Sequence, residues 1–377
     1  MRSEQLGAAL RRERDRAGYS QKDLARLLGC HRSTISHIES GDHGAAEDFW
    51  IQADQVCRSG GVLLAAYQRL VSISGDVSPV TGRPEPLDSA WVEGLHHRIR
   101  TLVELDTSLG GDHTAPLAVH AVNIATQQVA TCPPRPGLER DVHAALGELA
   151  EVAGWLCYDA HRHKDVHRLN KQARHHLSLA GDTSLDLLVL QNIAMHATHL
   201  RRGEQALAIT NRVLQTRNLS PRLHCLWRLR EARARAVAGD VDGAWKAWHQ
   251  VQALHDDGTR ESDPAWAWWI SDRELAGHHG MIAADCGDWD TAITVTQHSL
   301  EITPPAERVR HYIHRAHLFR MQVNAQAWRD AEDTLQQVIP LGAEVGSSRG
   351  LATVRRALDT AHASGDPKAR DLATTVV

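Results

Sequence analysis

The order of apolar and polar residues along the chain predicts one helix after another. In residues 20–41 the apolar positions follow helical spacing in two short stretches, which Gly29 separates. These apolar positions are Leu24, Ala25, Leu28, Ile35 and Ile38. Gly29 predicts a tight turn, because glycine adopts backbone conformations that cost other residues energy. The stretch therefore predicts a helix, a turn and a second, shorter helix.

Capping residues mark the ends of these two helices. Ser20 precedes the first helix as an N-cap, and Asp23 follows three residues later, where it can complete a capping box. Gly41 follows the second helix, which runs from about residue 31 to 40, and predicts a left-handed stop.

The outward face of the second helix is polar, because Ile35 and Ile38 occupy its inward face. A short helix with a hydrogen-bonding face, held on a first helix by a glycine turn, is typical of the helix-turn-helix motif that enters the DNA major groove. An arginine on such a face can hold guanine O6 and N7 together, and Arg32 is the candidate. Gln21 and Arg11 are expected to contact phosphate. The candidate DNA contacts are Arg11, Gln21, His31, Arg32, Ser33, Ser36, His37 and Ser40.

Further helices are predicted on both sides of this motif. Residues 5–16 form the first helix, residues 46–58 the fourth, and a fifth begins at residue 62. The DNA-binding domain is predicted to cover residues 1–72, and residues 73–87, rich in proline and glycine, form a linker.

One helix-turn-helix covers only half of a palindromic operator, so a homodimer is expected. Large apolar side chains on the fourth and fifth helices are predicted to be exposed on the isolated domain and to support this pairing. They are Trp50, Val62, Leu63 and Tyr67.

Residues 88–377 continue as helices with a faint repeat. Small or apolar anchor positions recur 40, 38, 48 and 39 residues apart, somewhat more than the ~34 residues of a tetratricopeptide unit. The anchors are Val166, Ala206, Ala244, Ala292 and Ala331. The best single unit, residues 273–304, has Gly280 and Ala292 where two helices approach closely and Gly287 at the turn. The predicted fold is all-α: a five-helix helix-turn-helix domain, then an α-solenoid of tetratricopeptide-like helix pairs.

Composition narrows the function classes. The net charge is −4, whereas residues 1–41 carry +3, so basic character lies where the motif lies. The six cysteines form no C-x-x-C pair, and there is neither a signal peptide nor an apolar run long enough for a membrane, so a reduced cytoplasmic protein is expected. Phosphate-binding glycine loops, G-x-S-x-G and H-E-x-x-H are absent, so we expect no enzyme and no cofactor.

Two further groups of residues allow alternative interpretations. The 25 histidines include two local sets, His161, His163 and His167, and His311, His314 and His317. No carboxylate or cysteine completes either set locally, so solvated helix faces are favoured over a metal site and no metal is predicted. The tryptophans of residues 264–269 either pack between repeats or line an effector pocket.

The motif resembles phage-repressor-like regulators of the xenobiotic-response-element family. In that family the positions of Arg14 and Glu39 form a structural pair. The chain departs from the family after Gly41. The family usually has a proline-containing turn there, whereas this chain has DHGAAEDF, without proline. The matching residues are Gln21, Leu24, Ala25, Gly29, Ser33, Ile35, Ile38, Glu39 and Gly41.

Residues 154–182 resemble a helix pair of actinobacterial regulators that join such a domain to a tetratricopeptide-like domain. The architecture is more distantly similar to peptide-pheromone receptors, whose solenoid binds a peptide and dimerises. The resemblance implies a groove for a peptide or small-molecule effector; the alternative is that its residues only pack or pair along the solenoid. The candidate effector-binding residues are Arg233, Met281, Asp285, Arg320 and Asn324, with Trp266 and Trp269.

The predicted function is an effector-responsive, DNA-binding transcriptional regulator. Two alternatives remain: a DNA-binding scaffold whose solenoid recruits a protein, and an antitoxin-like repressor that a partner protein neutralises.

Overall fold

The structure is a computed structural model that describes residues 2–28, 30–41, 45, 47–57, 59, 61–67, 86–256 and 258–374. Gly29 and all but the last two residues of the predicted linker lie outside these ranges. The internal contacts divide the chain into two units, one of Met1–Leu102 with Pro116–Leu138 and one of Val103–Ala115 with Glu139–Val377. The predicted domain boundaries at residues 72 and 88 stay predictions.

The N-terminal part of the first unit contains the helices predicted for it. They are α1 (Arg2–Arg16), α2 (Gln21–Leu27), α3 (Arg32–Ser40), α4 (Glu47–Cys57) and α5 (62–67). The capping box of α2 has both of its hydrogen bonds, between Ser20 and Asp23. Gly41 ends α3 with a φ of 85°. α1 and α3 approach so closely that a Cβ on Gly7 would clash with the carbonyl oxygen of Ile38.

The core of these five helices corrects one expectation. Trp50 and Leu63 were expected on the surface, but their exposed fractions are 1% and 0%. They pack against Leu10, Leu24 and Ile35, because α4 and α5 close the open side of the three-helix motif. Val62 is exposed.

The remaining helices follow one another with short connections. They are α6 (Ser89–Leu109), α7 (Gly111–Thr131), α8 (Glu139–Asp159), α9 (His163–Ala180), α10 (Thr183–His199), α11 (Gly203–Thr216), α12 (Pro221–Ala238), α13 (Val241–Asp256), a 3₁₀ helix (Ala265–Trp269), α14 (Asp272–Asp285), α15 (Trp289–Glu301), α16 (Arg308–Asn324), α17 (Trp328–Glu344), α18 (Ser348–Ala363) and α19 (Pro367–Thr374). Among the described residues, none of the helices combines the length and apolarity needed to cross a membrane.

Consecutive helices of the second unit pack as pairs, α8 with α9, α10 with α11, α12 with α13, α14 with α15 and α16 with α17. All five predicted anchor residues are buried, at 2% exposure or less. Gly280 lies where a Cβ would clash with Thr296 of the paired helix. The predicted fold class is confirmed: an all-α chain in which a helix-turn-helix region precedes helix pairs arranged as in an α-solenoid.

The turn inside each pair contains one residue in the left-handed region. Gly239 and Gly287 occupy it in two pairs. In the other three pairs it is a side-chain-bearing residue, His161 (φ 59°), Arg201 (φ 60°) or Gln326 (φ 57°). Since this conformation costs a non-glycine residue ~1 kcal/mol or more, the three side chains are held there by their surroundings.

The last helices of the second unit contact its first ones. The backbone N–H of Gly346 donates to Leu109, and the N–H of Asp112 donates to Gly346, at 3.0 and 2.9 Å. Arg349 on α18 donates to Asp159 Oδ1 at the end of α8 through Nε and Nη2, at 3.1 and 2.9 Å.

Candidate nucleic-acid interface and the polar interior of the repeats

Helix α3 separates a buried apolar side from an exposed polar side. Ile35 and Ile38 are 0% and 3% exposed. The predicted DNA contacts of α3 and its N-cap all lie on the exposed side. They are His31, Arg32, Ser33, Ser36, His37 and Ser40. The structure thus brings these six side chains together on one face.

His31 has a second role that sequence reasoning missed. Its Nδ1 accepts from the backbone N–H of Ser33 at 3.3 Å and lies 2.7 Å from Ser33 Oγ. His31 is therefore the N-cap of α3. Histidine is an unusual N-cap, which is why the residue types that normally start a helix gave no indication of it.

A buried ion pair fixes α1 to the C-terminal end of α3. Arg14 Nε donates to Glu39 Oε1 at 2.6 Å, and its Nη2 donates to Oε2 at 3.1 Å. The two side chains are 8% and 4% exposed. Their hydrogen bond raises the pKa of Arg14 against the opposing effect of burial. This geometry matches the bidentate pairing in which arginine binds a carboxylate most strongly.

The two predicted phosphate contacts have protein partners of their own. Gln21 donates through Nε2 to Glu39 Oε2 at 2.8 Å, which links α2 to the same pair. Arg11 Nε lies 4.0 Å from Asp15 Oδ2, and the Arg11 side chain is 71% exposed. Its long exposed side chain can therefore leave this weak pair for a phosphate.

This part of the chain resembles a known protein domain. A protein-family model described as "Helix-turn-helix domain" matches residues 5–67. The fold and this match together define a helix-turn-helix domain, the domain of DNA-binding regulators. The matched domain is of the xenobiotic-response-element-like kind. No curated protein matches the chain.

The predicted effector residues lie in a different environment from those of α3. Asp285 accepts from Arg233 Nη1 at 2.7 Å and from Arg201 Nη1 at 2.6 Å. Although burial raises the pKa of Asp285, Arg233 and then Arg320 and Arg201 outweigh it, so the pKa is lowered. The Asp285 side chain is only 6% exposed. Asp285 is therefore an internal counter-ion for several arginines.

Arg320 and Asn324 complete the polar part of the predicted groove. Asn324 Nδ2 donates to the carbonyl of Arg320 at 2.7 Å. Arg320 Nε is buried and has no hydrogen-bond partner within the described residues. Burial lowers the pKa of Arg320, and Asp285 opposes that effect.

The apolar part of the predicted groove is divided between two clusters. Met281 packs with Ala283, Ala292 and Met321. Trp266 and Trp269 pack instead on a separate cluster, and Trp266 Nε1 donates to Ser184 Oγ at 3.0 Å. Trp268, by contrast, is 73% exposed.

A larger polar network inside the repeats was not predicted. Arg230 on α12 donates to Gln191 Oε1 at 2.9 Å and contacts His278 Nε2 at 3.1 Å. His278 contacts Glu274, which accepts from Arg310 at 2.7 Å. Burial lowers the pKa of Arg230 to about 10 and that of His278 to about 4. The sequence carries one related signal, since polar residues are spread around α12, α14 and α16 without a separate apolar face. That signal does not say which polar residues pair.

The two histidine sets differ from the expectation of solvated faces. His314 Nδ1 lies 3.0 Å from Ser299 Oγ, and burial lowers the pKa of His314 to about 3. For His314 the expectation of a solvated face was wrong, because α16 packs between α15, α17 and α18. His161 and His163 meet His199, which comes from the next helix pair. Burial lowers the pKa of all three, so their imidazoles are neutral at neutral pH.

Proposed function

We propose that this protein is a sequence-specific transcriptional regulator that acts in the cytoplasm and reads DNA with α3. The observation that carries the proposal is the polar face of α3. It is exposed along its whole length, while the buried Arg14–Glu39 pair fixes the helix beneath it. Many surface helices have a polar face, but this one belongs to the second helix of a helix-turn-helix domain, which is the helix that enters the major groove.

In this proposal the exposed residues divide into two roles. Arg32 reads a guanine through O6 and N7, and Ser33, Ser36 and His37 contact neighbouring bases or sugars. Gln21 and Arg11 bind phosphates, which positions the domain without selecting sequence. His31 and Ser40, at the two ends of α3, add contacts to the sugar-phosphate backbone of the DNA.

We also propose that the protein binds a palindromic operator as a homodimer. Since Trp50 and Leu63 are buried inside the domain, they do not support a dimer interface. The proposal rests on the half-site geometry of helix-turn-helix proteins. Light scattering at micromolar protein should give twice the chain mass, and a monomer mass with and without operator DNA would contradict it.

For the second unit we propose a tetratricopeptide-like domain, of the actinobacterial type, that responds to a peptide or small-molecule effector. An effector carboxylate could join Asp285 as a further partner of Arg233 and Arg320, since the buried Nε of Arg320 has no partner within the described residues, and Asn324 could hold a peptide amide. The double variant Arg320→Ala with Asn324→Ala should still bind DNA but should no longer be released by the peptide or metabolite that releases the native protein. A normal response would contradict the proposed groove. Neither catalysis nor a cofactor is part of the proposal.

A selection from random DNA tests the proposed function. The full-length protein is incubated with duplexes of random sequence, and the bound DNA is sequenced. We expect one enriched sequence with two half-sites about one helical turn apart. Equal recovery of all sequences would contradict a sequence-specific regulator, and a protein that co-purifies in equal amount would favour a scaffold or an antitoxin-like repressor.

A further inference from the structure

Three histidines from two neighbouring helix pairs meet in the second unit. His161 lies in the turn between α8 and α9, His163 is the first residue of α9, and His199 is the last residue of α10. One ring nitrogen from each lies within 4.8 Å of the others. The ring centroids of His161 and His163 are 4.2 Å apart, and each is 5.8 Å from that of His199.

The backbone fixes the direction of His161. Its φ of 59° places it in the left-handed region, at the turn position that glycine occupies in two other pairs. The turn is closed by backbone hydrogen bonds from His161 to Tyr158 and from Arg162 to Cys157, at 3.1 and 2.8 Å. The equivalent Arg201 uses the same backbone position to reach Asp285. At two of the three such turns the side chain thus meets a partner on another element, His199 for His161 and Asp285 for Arg201.

A fourth histidine, His196, lies within hydrogen-bond distance of the cluster. His163 Nδ1 lies 3.0 Å from His196 Nε2, and the two rings stack at 5.1 Å. When His163 donates its Nδ1–H to His196, the lone pair of His163 Nε2 is left for a metal ion. Such a hydrogen bond from the second ring nitrogen is what orients a metal-binding histidine. The Tyr158 ring lies edge-on against His196 and His199 and limits their movement.

We propose that His161, His163 and His199 bind one divalent transition-metal ion, Zn²⁺ foremost, with water or an anion as the fourth ligand. Neutral imidazoles are the nitrogen ligands that Zn²⁺ takes in proteins, and three of them with one open position form a common Zn²⁺ geometry. Tetrahedral Zn–N bonds place the nitrogens about 3.3 Å apart, so the side chains close by about 1.5 Å at most when the ion binds.

The charges around the cluster bear on the fourth ligand. Arg349 is paired with Asp159, and Arg356 on α18 is exposed. Arg356, Arg349 and Asp112 all act electrostatically on His161. Since Asp159 and Asp112 offset these two arginines, the surrounding charge does not select between water and an anion as the fourth ligand. The bound ion would join the α8–α9 turn to the end of α10 and so fix two neighbouring helix pairs.

The test uses untagged full-length protein, freed of metal with a chelator and titrated with Zn²⁺ in competition with a chromophoric chelator. We expect one tight equivalent per chain. Co²⁺ should give the intense visible absorption of a tetrahedral site. His199→Asn should weaken Zn²⁺ binding by more than about 100-fold, and His196→Asn, which removes the supporting hydrogen bond, by about 10–100-fold.

Two variants make the result decisive. His161→Gly removes a ligand but suits the left-handed turn, so it should fold at least as well without metal and still lose Zn²⁺ affinity. His167→Asn is the matched control, because His167 is exposed on α9 four residues after His163 and could form only a surface chelate with it. It should keep the affinity. Absence of a stoichiometric equivalent, unchanged affinity in His161→Gly, or loss of affinity in His167→Asn would overturn the proposal.

Discussion

Helix α3 and the repeat helices α12 and α14 carry the same kinds of residue in opposite environments. On α3, arginine, histidine and serine are exposed above a buried apolar side. On α12 and α14, Arg233 and Asp285 are directed at each other and are largely buried. Residue type alone therefore does not distinguish a binding face from internal structure; the presence of internal partners does.

The energetic consequence differs between the two regions. The protein loses little stability when an exposed arginine is removed, because water replaces the contacts of that side chain. A buried carboxylate that neutralises several arginines is costly to remove, because its partners stay buried without a counter-ion. Substitutions in the two regions should therefore separate binding from stability.

Asp285→Ala should give the largest effect on stability. It leaves Arg233 and Arg201 without their carboxylate, and we expect the free energy of unfolding to fall by about 3–5 kcal/mol. The measurement is urea unfolding followed by circular dichroism. Asp290→Ala, an exposed aspartate on the next helix, is the control and should change stability by no more than about 0.5 kcal/mol. Equal stability of the two variants would show that Asp285 is not an internal counter-ion.

Acid should destabilise the second unit through His278. Burial lowers its folded pKa to about 4, even though Glu274 raises it, whereas the unfolded value is about 6.5. Between these values the unfolded chain binds a proton that the folded chain does not, so stability present above pH 6.5 is lost as the pH falls toward 4. The loss attributable to His278 at pH 5 is about 2 kcal/mol.

Urea unfolding at pH 7 and pH 5, with a chelator present, measures this loss. His278→Gln should show a smaller decrease in stability between the two pH values than the native chain. His167→Asn, at an exposed position, should show the native decrease. If His278→Gln kept the full pH dependence, the titrating group would have to be another one.

The regular parts of both regions were predictable from the sequence. The capping pair Ser20 and Asp23 and the stop at Gly41 follow from local chemistry. The small anchor residues followed from their spacing, because two helices approach closely only where side chains are small. These features depend on residues within a few positions of one another or on a repeated pattern.

The features that were not predicted depend on contacts between residues far apart in the sequence. Trp50 appeared exposed because the helices that bury it could not be positioned from their order alone. The pairing of Asp285 with Arg201 joins residues 84 positions apart. His199 meets His161 and His163 only because neighbouring helix pairs stack, and a search for local ligand spacing could not find it. Non-local pairing of polar residues leaves no periodic pattern in a sequence.

The variant Arg32→Ala shows whether the exposed face of α3 reads bases. Binding of the native and variant proteins is measured on the selected duplex and on duplexes with single base-pair changes. We expect a loss of about 1–3 kcal/mol in the free energy of DNA binding and a relaxed preference at one base pair, with the free energy of unfolding unchanged. Arg26→Ala, on α2 with a side chain 80% exposed, should keep the native preference at every base pair. Native affinity and an unchanged preference at every base pair in Arg32→Ala would show that α3 does not read bases through Arg32.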